Sequence, residues 1–334
     1  MTPLERQIRG EIEEQGPISF RRFMELALYR PEHGYYRRAR DPFGKSGDFF
    51  TNSQLQPVFG RLLAQQIARW RDEMGRPPAF TVVEIGAGRG ETLQQVRQSL
   101  PDVPCVAVEV SSRDLPDSLT GVVYANEFFD ALPVHVVERR GGELWECRVG
   151  ADEKGFQWTS GAAADEVLED YVNNHAPDLA EGQKIEVNLA ALSELGKIGR
   201  SMAQGYLLTI DYGYTAREIA SGRRLFNGSL MSYARHQALE DVLTDPGGRD
   251  ITAHVNFTAL EKQGEACGLS SLGLKTQAQF LLEAGQPDEF RGALAARNES
   301  EARQLRLQLK SLLFGMGETF QVLVQRKGSY TPVR

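Results

Sequence analysis

The sequence predicts an α/β fold: a doubly wound sheet of about seven strands, with a helical N-terminal region and helical insertions. Three observations carry this. Phe80-Thr81-Val82-Val83-Glu84-Ile85 and Pro104 to Val110 are short apolar, β-branched runs of the length of buried strands. Between them lie a glycine turn, Gly86 to Gly90, and a helical stretch at 91–99. Strand, helix and strand within about thirty residues make a βαβ unit, hence a parallel pair. Near the C-terminus, 269–276 and 319–326 alternate like sheet strands around a helical stretch at 288–313, and 319–326 is expected to run antiparallel to the central strands.

Taken in order, residues 3–29 show helical spacing through Ile8, Ile12, Phe20, Phe23 and Leu26. Gly16-Pro17 divides that stretch, and Ser19 can cap the second part. Residues 30–53 are rich in turn formers, yet Tyr35, Tyr36, Phe43, Phe49 and Phe50 argue for an ordered, functional loop. Helical spacing returns at 55–74 through Leu55, Phe59, Leu62, Leu63, Ile67 and Trp70. Val122 to Ala125 is a third strand, and 134–140 with 143–149 form a hairpin around Gly141-Gly142. A helix at 188–203 leads to a core strand at Tyr206 to Ile210, and 213–256 reads as irregular. The segments are a helical region with an aromatic loop at 1–75, an α/β core at 76–212, an inserted region at 213–310, and a strand at 311–334 that completes the sheet.

The 334 residues carry a net charge of −7, so no basic field attracts nucleic acid. Arg37, Arg38, Arg40 and Lys45 form one local basic stretch. Cys105, Cys147 and Cys267 lack the spacing of a disulfide framework or a metal site. The N-terminus has neither an apolar signal core nor an Arg-rich transit pattern, and no run approaches the roughly 18 apolar residues of a membrane span. These features predict a soluble, cytoplasmic protein without membrane insertion; a homodimer is left open.

The sharpest local pattern is Glu84-Ile85-Gly86-Ala87-Gly88-Arg89-Gly90. Glycines at the end of a core strand let the backbone turn tightly and approach a ligand. A dinucleotide fingerprint needs a third glycine at position 91, which is Glu91, a residue of the wrong charge beside a pyrophosphate. The spacing G-x-G-x-G, with an acid two residues upstream, resembles motif I of the class I S-adenosylmethionine methyltransferases. Glu109, at the end of the next strand, suits the ribose hydroxyls of an adenosyl group. After the third strand comes Asn126-Glu127-Phe128-Phe129-Asp130-Ala131-Leu132-Pro133, acids and aromatics at the strand end where α/β folds bind ligands.

Together with Pro31-Glu32-His33-Gly34-Tyr35-Tyr36, Gly47-Asp48-Phe49-Phe50-Thr51, Asp211-Tyr212-Gly213-Tyr214, Gly228-Ser229-Leu230 and Asp250 to Phe257, these motifs resemble the MidA-like methyltransferase family. That family includes the mitochondrial complex I assembly arginine methyltransferase. The resemblance implies a Rossmann-like class I methyltransferase fold, S-adenosyl-L-methionine as cofactor, and a protein acceptor, a respiratory complex subunit among the candidates. Carried onto this chain, Glu84, Gly86, Gly88, Gly90, Glu109, Asn126 and Thr51 fall on the cofactor side. Glu127, Asp130 and Asp48 fall at the reacting centre, and Tyr36, Phe128, Asp211, Tyr212 and His254 in the substrate cleft. His236 and His254 are also candidates for a general base. One departure is the short segment Ser111 to Gly121, where the family has a helix, a strand and a loop that help hold adenine. Two other readings stay open: a methyltransferase-like assembly or binding protein with weak catalysis, and an NAD-dependent oxidoreductase.

Overall fold

The computed structural model describes residues 1–38, 57–109, 115–221, 225–234 and 237–328. The chain groups into two compact units, each built from separated stretches of sequence. One comprises Thr51–Phe129, Ser193–Gly213 and Leu260–Arg334; the other comprises Met1–Phe50, Asp130–Leu192 and Tyr214–Ala259. The sequence segments expected above are divisions along the chain, whereas these units are divisions in space.

The first unit holds the doubly wound sheet. Its strands are β1 (Phe80–Ile85), β2 (Cys105–Val108), β3 (Leu119–Asn126), β4 (Met202–Tyr214), β5 (Leu269–Thr276) and β6 (Phe320–Lys327). Their order is β5-β6-β4-β3-β1-β2, the continuous path of a seven-stranded sheet. β1 pairs in parallel with β2 and β3, and β3 with β4. β6 lies antiparallel between β4 and β5, as the sequence predicted. The helices of this unit include α1 (Val58–Glu73), α2 (Glu91–Ser99), α3 (Gln277–Gly285) and α4 (Glu299–Phe314).

Period-two alternation puts Val82, Val122, Tyr124, Leu208, Ile210, Phe320 and Val322 in one buried cluster, with Phe59, Leu62, Leu63 and Ile67 of α1 and Phe280 and Leu281 of α3. Trp70 stacks on Tyr206 at a centroid distance of 4.6 Å, and the Tyr206 hydroxyl donates to Glu73 at 2.7 Å. This satisfies a polar tip that burial would otherwise penalise.

In the second unit, the hairpin around Gly141-Gly142 forms as expected, with Arg140 opposite Glu143. It belongs to a five-stranded sheet with Ile18–Ser19, Gly155–Ala163 and Lys184–Val187. Helices Pro3–Gln15 and Phe20–Tyr29 bury Leu4, Ile8, Phe20, Phe23 and Leu26 in a cluster with Val136 and Val149. Ser19 caps the second helix by accepting from the Arg22 N–H at 3.2 Å.

Four expectations change. β2 is an edge strand rather than a fully buried one, and Val106 is 36% exposed because the strand order ends there. The stretch 213–256 is not simply irregular: Met231–Ala234, flanked by Gln237–Leu239 and Asp250–Thr252, forms a three-stranded antiparallel sheet. Strands of three or four residues are too short to show a period. The helix expected at 288–313 begins at Glu299, capped by Asn298, because Glu289 and Phe290 take left-handed backbone angles that end the preceding turn. Finally, Gly155–Ala163, Glu166–His175 and Lys184–Val187 are elements the sequence reading did not separate.

Candidate active site

Where β1 ends, Gly86, Gly88 and Gly90 all adopt positive φ, at 67°, 55° and 68°. Side chains with a Cβ are disfavoured in this region, so glycine is what the turn needs. The turn is tied down by Gly86 N–H to the Val108 carbonyl and Gly90 N–H to the Ala87 carbonyl, both 2.8 Å. Gly90 then opens α2. Glu84 is buried and accepts the Leu93 N–H at 3.2 Å. It thereby joins the end of β1 to the first turn of α2. Burial pushes its carboxyl up to about 8, against the pull of the neighbouring Tyr124 hydroxyl and of the Leu93 N–H. Glu109, just after β2, accepts the Gly88 N–H at 2.9 Å, so its carboxylate stands at the glycine turn.

One strand over, Asn126 ends β3 opposite Ile210, and its side-chain amide donates to Glu127 at 3.2 Å. Glu127 has a left-handed φ of 52° and its N–H donates to the Ile210 carbonyl at 2.9 Å. Phe128 and Phe129 are buried and meet edge to face at 5.0 Å. The Phe128 ring covers Gly86: a Cβ built there would stand 2.6 Å from Phe128 Cδ2.

Two expectations about the cleft shift here. Asp211 has no exposed surface; it accepts Phe128, Phe129 and Tyr212 N–H groups at 3.3, 2.9 and 2.9 Å. Tyr212 packs its ring on Phe320 at 3.9 Å. Asp211 thus holds the loop through its backbone, and Tyr212 packs on the neighbouring β6.

In the second unit, Asp130 and Asp250 are buried. Tyr36 hydrogen-bonds Asp250, and its hydroxyl is held well above the usual range by burial, with Asp250, Tyr29 and Asp130 adding to the effect. The rings of Tyr29 and Tyr36 lie 5.6 Å apart. Burial lifts the Asp130 carboxyl to about 7. Sequence reasoning missed Asp250, although it opens the motif Asp250 to Phe257; its signal was an acid at the head of an apolar strand. The His254 N–H donates to Ser229 Oγ at 2.9 Å, and its ring lies 5.2 Å from Tyr214. The Ser229 hydroxyl and N–H donate to the half-buried Glu186, another acid the sequence reading passed over. Asp48, Thr51 and His236 lie outside the described residues.

The turn fits an adenosyl ligand. Nothing described lies within 4 Å of a Cβ built on Gly90, and the Glu109 carboxylate stands beside the turn. A family model for S-adenosyl-L-methionine-dependent methyltransferases matches residues 106–275. The chain belongs to that family.

A Burkholderia thailandensis protein crystallised with S-adenosyl-homocysteine bound is similar throughout. It is 30% identical, with a TM-score of 0.86, covering 98% of this chain and 93% of that one. The human mitochondrial protein arginine methyltransferase NDUFAF7 is 27% identical over 382 residues, covering 96% of this chain and 82% of its own length. Its Drosophila melanogaster homologue is 27% identical over 324 residues, 79% and 70% of the two chains. These animal proteins are mitochondrial by name, which overturns the cytoplasmic placement expected from the N-terminal sequence. No helix among the described residues is long and apolar enough to cross a membrane.

In this methyltransferase, the cofactor supplies an electrophilic methyl group on a sulfonium sulfur. The residues that would hold it are the backbone at Gly86, Gly88 and Gly90 and the Glu109 carboxylate, which suits a ribose diol. Glu84 would act on the turn itself, through the Leu93 N–H.

Proposed function

We propose that this methyltransferase acts on a protein and places the methyl group on an arginine guanidinium nitrogen. The observation that supports the reading is the position of Glu127. It follows β3, which lies beside and parallel to β1, so an acid stands at the strand end next to the glycine turn. A guanidinium is cationic and planar, and carboxylates bind it by charge-assisted, bidentate hydrogen bonds. Holding it so aligns one nitrogen for in-line attack on the methyl carbon. As the N–C bond forms, the C–S bond breaks and S-adenosylhomocysteine leaves; the nitrogen then loses its proton to water. Glu127 is the acceptor acid in this reading, and Asp130 and Asp48 are proposed beside it from their sequence motifs alone. Asn126 and Thr51 join the cofactor side; Tyr36 and His254 are proposed for the acceptor from their sequence motifs alone. The names of the NDUFAF7 relatives, similar over most of their length, support arginine as the acceptor.

A subunit of a respiratory complex is the acceptor we propose to test first, as the family resemblance implies. The experiment incubates the enzyme with methyl-labelled S-adenosylmethionine and a membrane fraction containing respiratory complexes, then hydrolyses the labelled protein to amino acids. Label in methylarginine is expected. Label in lysine alone, or none above a no-enzyme control, overturns the proposal.

A further inference from the structure

Beneath the acidic-aromatic loop, one buried carboxylate gathers three backbone donors. Asp211 Oδ2 accepts from both Phe128 and Phe129, and Oδ1 accepts from Tyr212. Asp211 lies on β4 opposite Gln321 of β6, inside the sheet and fully buried. The segment it holds begins with Glu127, whose left-handed φ is unusual for a residue with a side chain. Such a conformation persists only where surrounding bonds over-determine it. Here those bonds are Glu127 N–H to Ile210 on one side and the two N–H groups on Asp211 on the other. The same segment carries the Phe128 ring that covers Gly86. One carboxylate therefore sets the direction of Glu127 and the seating of Phe128 over the glycine turn.

We infer that Asp211 is a positioning residue for methyl transfer, acting through the Glu127–Phe129 turn without touching cofactor or acceptor. The inference deepens the reading above, since it takes the Glu127 turn as the acceptor side of the site. A carboxylate is the group this geometry requires. It is an acceptor at both oxygens, whereas an asparagine offers one oxygen and an NH2 group. In Asp211→Asn that NH2 would face either the Tyr212 N–H or the paired Phe128 and Phe129 N–H groups, and donor would meet donor. The strand would keep its size and ladder, while the turn above lost its anchor.

The test compares Asp211→Asn with wild type in three measurements: the affinity for S-adenosylhomocysteine by calorimetry, the KM for S-adenosylmethionine, and the rate of label transfer to the membrane fraction at saturating cofactor. The expected result is a cooperatively folding variant whose transfer rate falls about tenfold or more, while its S-adenosylhomocysteine affinity and KM stay within about threefold of wild type. A wild-type rate in the folded variant overturns the inference. So does a loss of affinity that matches the loss of rate, because a merely structural role would lower both together. Hydrogen exchange of the wild-type protein tests the clamp without any substitution. The Phe128, Phe129 and Tyr212 amides should exchange as slowly as those of β1, and exchange at the rate of exposed loop amides overturns the inference. A methyl group found on lysine would end the arginine reading, yet the ratio of variant to wild-type rates would still decide the role of Asp211.

Discussion

The ring of Phe128 lies over Gly86, so closely that a Cβ on Gly86 would stand 2.6 Å from Phe128 Cδ2. The residue that follows β1 and the loop that follows β3 thus form one packed contact, although more than a strand, a helix and a second strand separate them in the chain. A side chain placed on Gly86 therefore reaches the acidic loop as well.

Gly86→Ala and Gly90→Ala should therefore differ. Both positions have positive φ, which penalises alanine by about 1–2 kcal/mol. At Gly90 the new methyl group meets nothing described within 4 Å, and that penalty is the whole expected effect. At Gly86 it also displaces Phe128. Urea unfolding should show the larger loss for Gly86→Ala, and calorimetry should show weaker S-adenosylhomocysteine binding. Equal effects of the two substitutions would mean that the Phe128 contact does not form.

Glu84 should give the protein a pH-dependent stability. Its carboxyl is lifted by burial from the ordinary 4.5 to about 8. Unfolded, the group ionises near its ordinary value; folded, it keeps its proton into mildly alkaline solution. Between those points the native state holds the extra proton, so stability falls as pH rises, by at most about 1.4 kcal/mol per pH unit. The contribution is complete below the ordinary value and is lost by about pH 8. Asp130, lifted to about 7, acts in the same direction, so only a difference is diagnostic. Glu84→Gln, which cannot ionise, should show a flatter curve of urea midpoint against pH than wild type. Parallel curves would count against a buried, protonated Glu84.

Glu127→Gln should slow methyl transfer far more than it weakens cofactor binding. The substitution keeps size and removes charge. A hydrogen bond to a charged group contributes roughly 1.5–3 kcal/mol. That corresponds to a rate loss on the order of tenfold to a hundredfold. Label transfer and S-adenosylhomocysteine calorimetry on the same preparation separate the two effects. An unchanged rate removes Glu127 from the acceptor site; an equal loss of both moves it to the cofactor side.

Gly121→Ala should destabilise the sheet without touching the ligand turn. Gly121 has a φ of 150°, and a Cβ there would collide with the Thr81 carbonyl oxygen on the neighbouring β1. Backbone cannot yield as a flexible side chain can, so a loss on the order of 3–5 kcal/mol is expected, among the larger effects of a single substitution. Urea unfolding monitored by circular dichroism measures it. A loss below about 1 kcal/mol would mean that β1 and β3 do not approach so closely there.

The sequence by itself determined the local chemistry. It marked the glycine turn between β1 and α2, because three alternate glycines free the backbone for positive φ that residues with a Cβ disfavour. It also located the acids and aromatics of Asn126 to Asp130 at a strand end, since a short apolar run followed by polar residues marks where a buried strand emerges. Tertiary structure decided which of the acids face inward. Glu84 and Asp211 look alike in the sequence to Glu109 and Glu127, yet they are buried and turned onto backbone N–H groups of their own unit, whereas Glu109 and Glu127 keep partial exposure. That distinction depends on which strands become neighbours. β4 lies beside β3 through a crossover that no local pattern encodes, and Tyr36 meets Asp250 across most of the length of the chain. A short strand such as Asp250–Thr252 also carries too few residues to display a period, so its partners reveal it. Local propensity is written residue by residue, whereas burial and hydrogen-bond partners belong to pairs of residues that only the folded chain brings together.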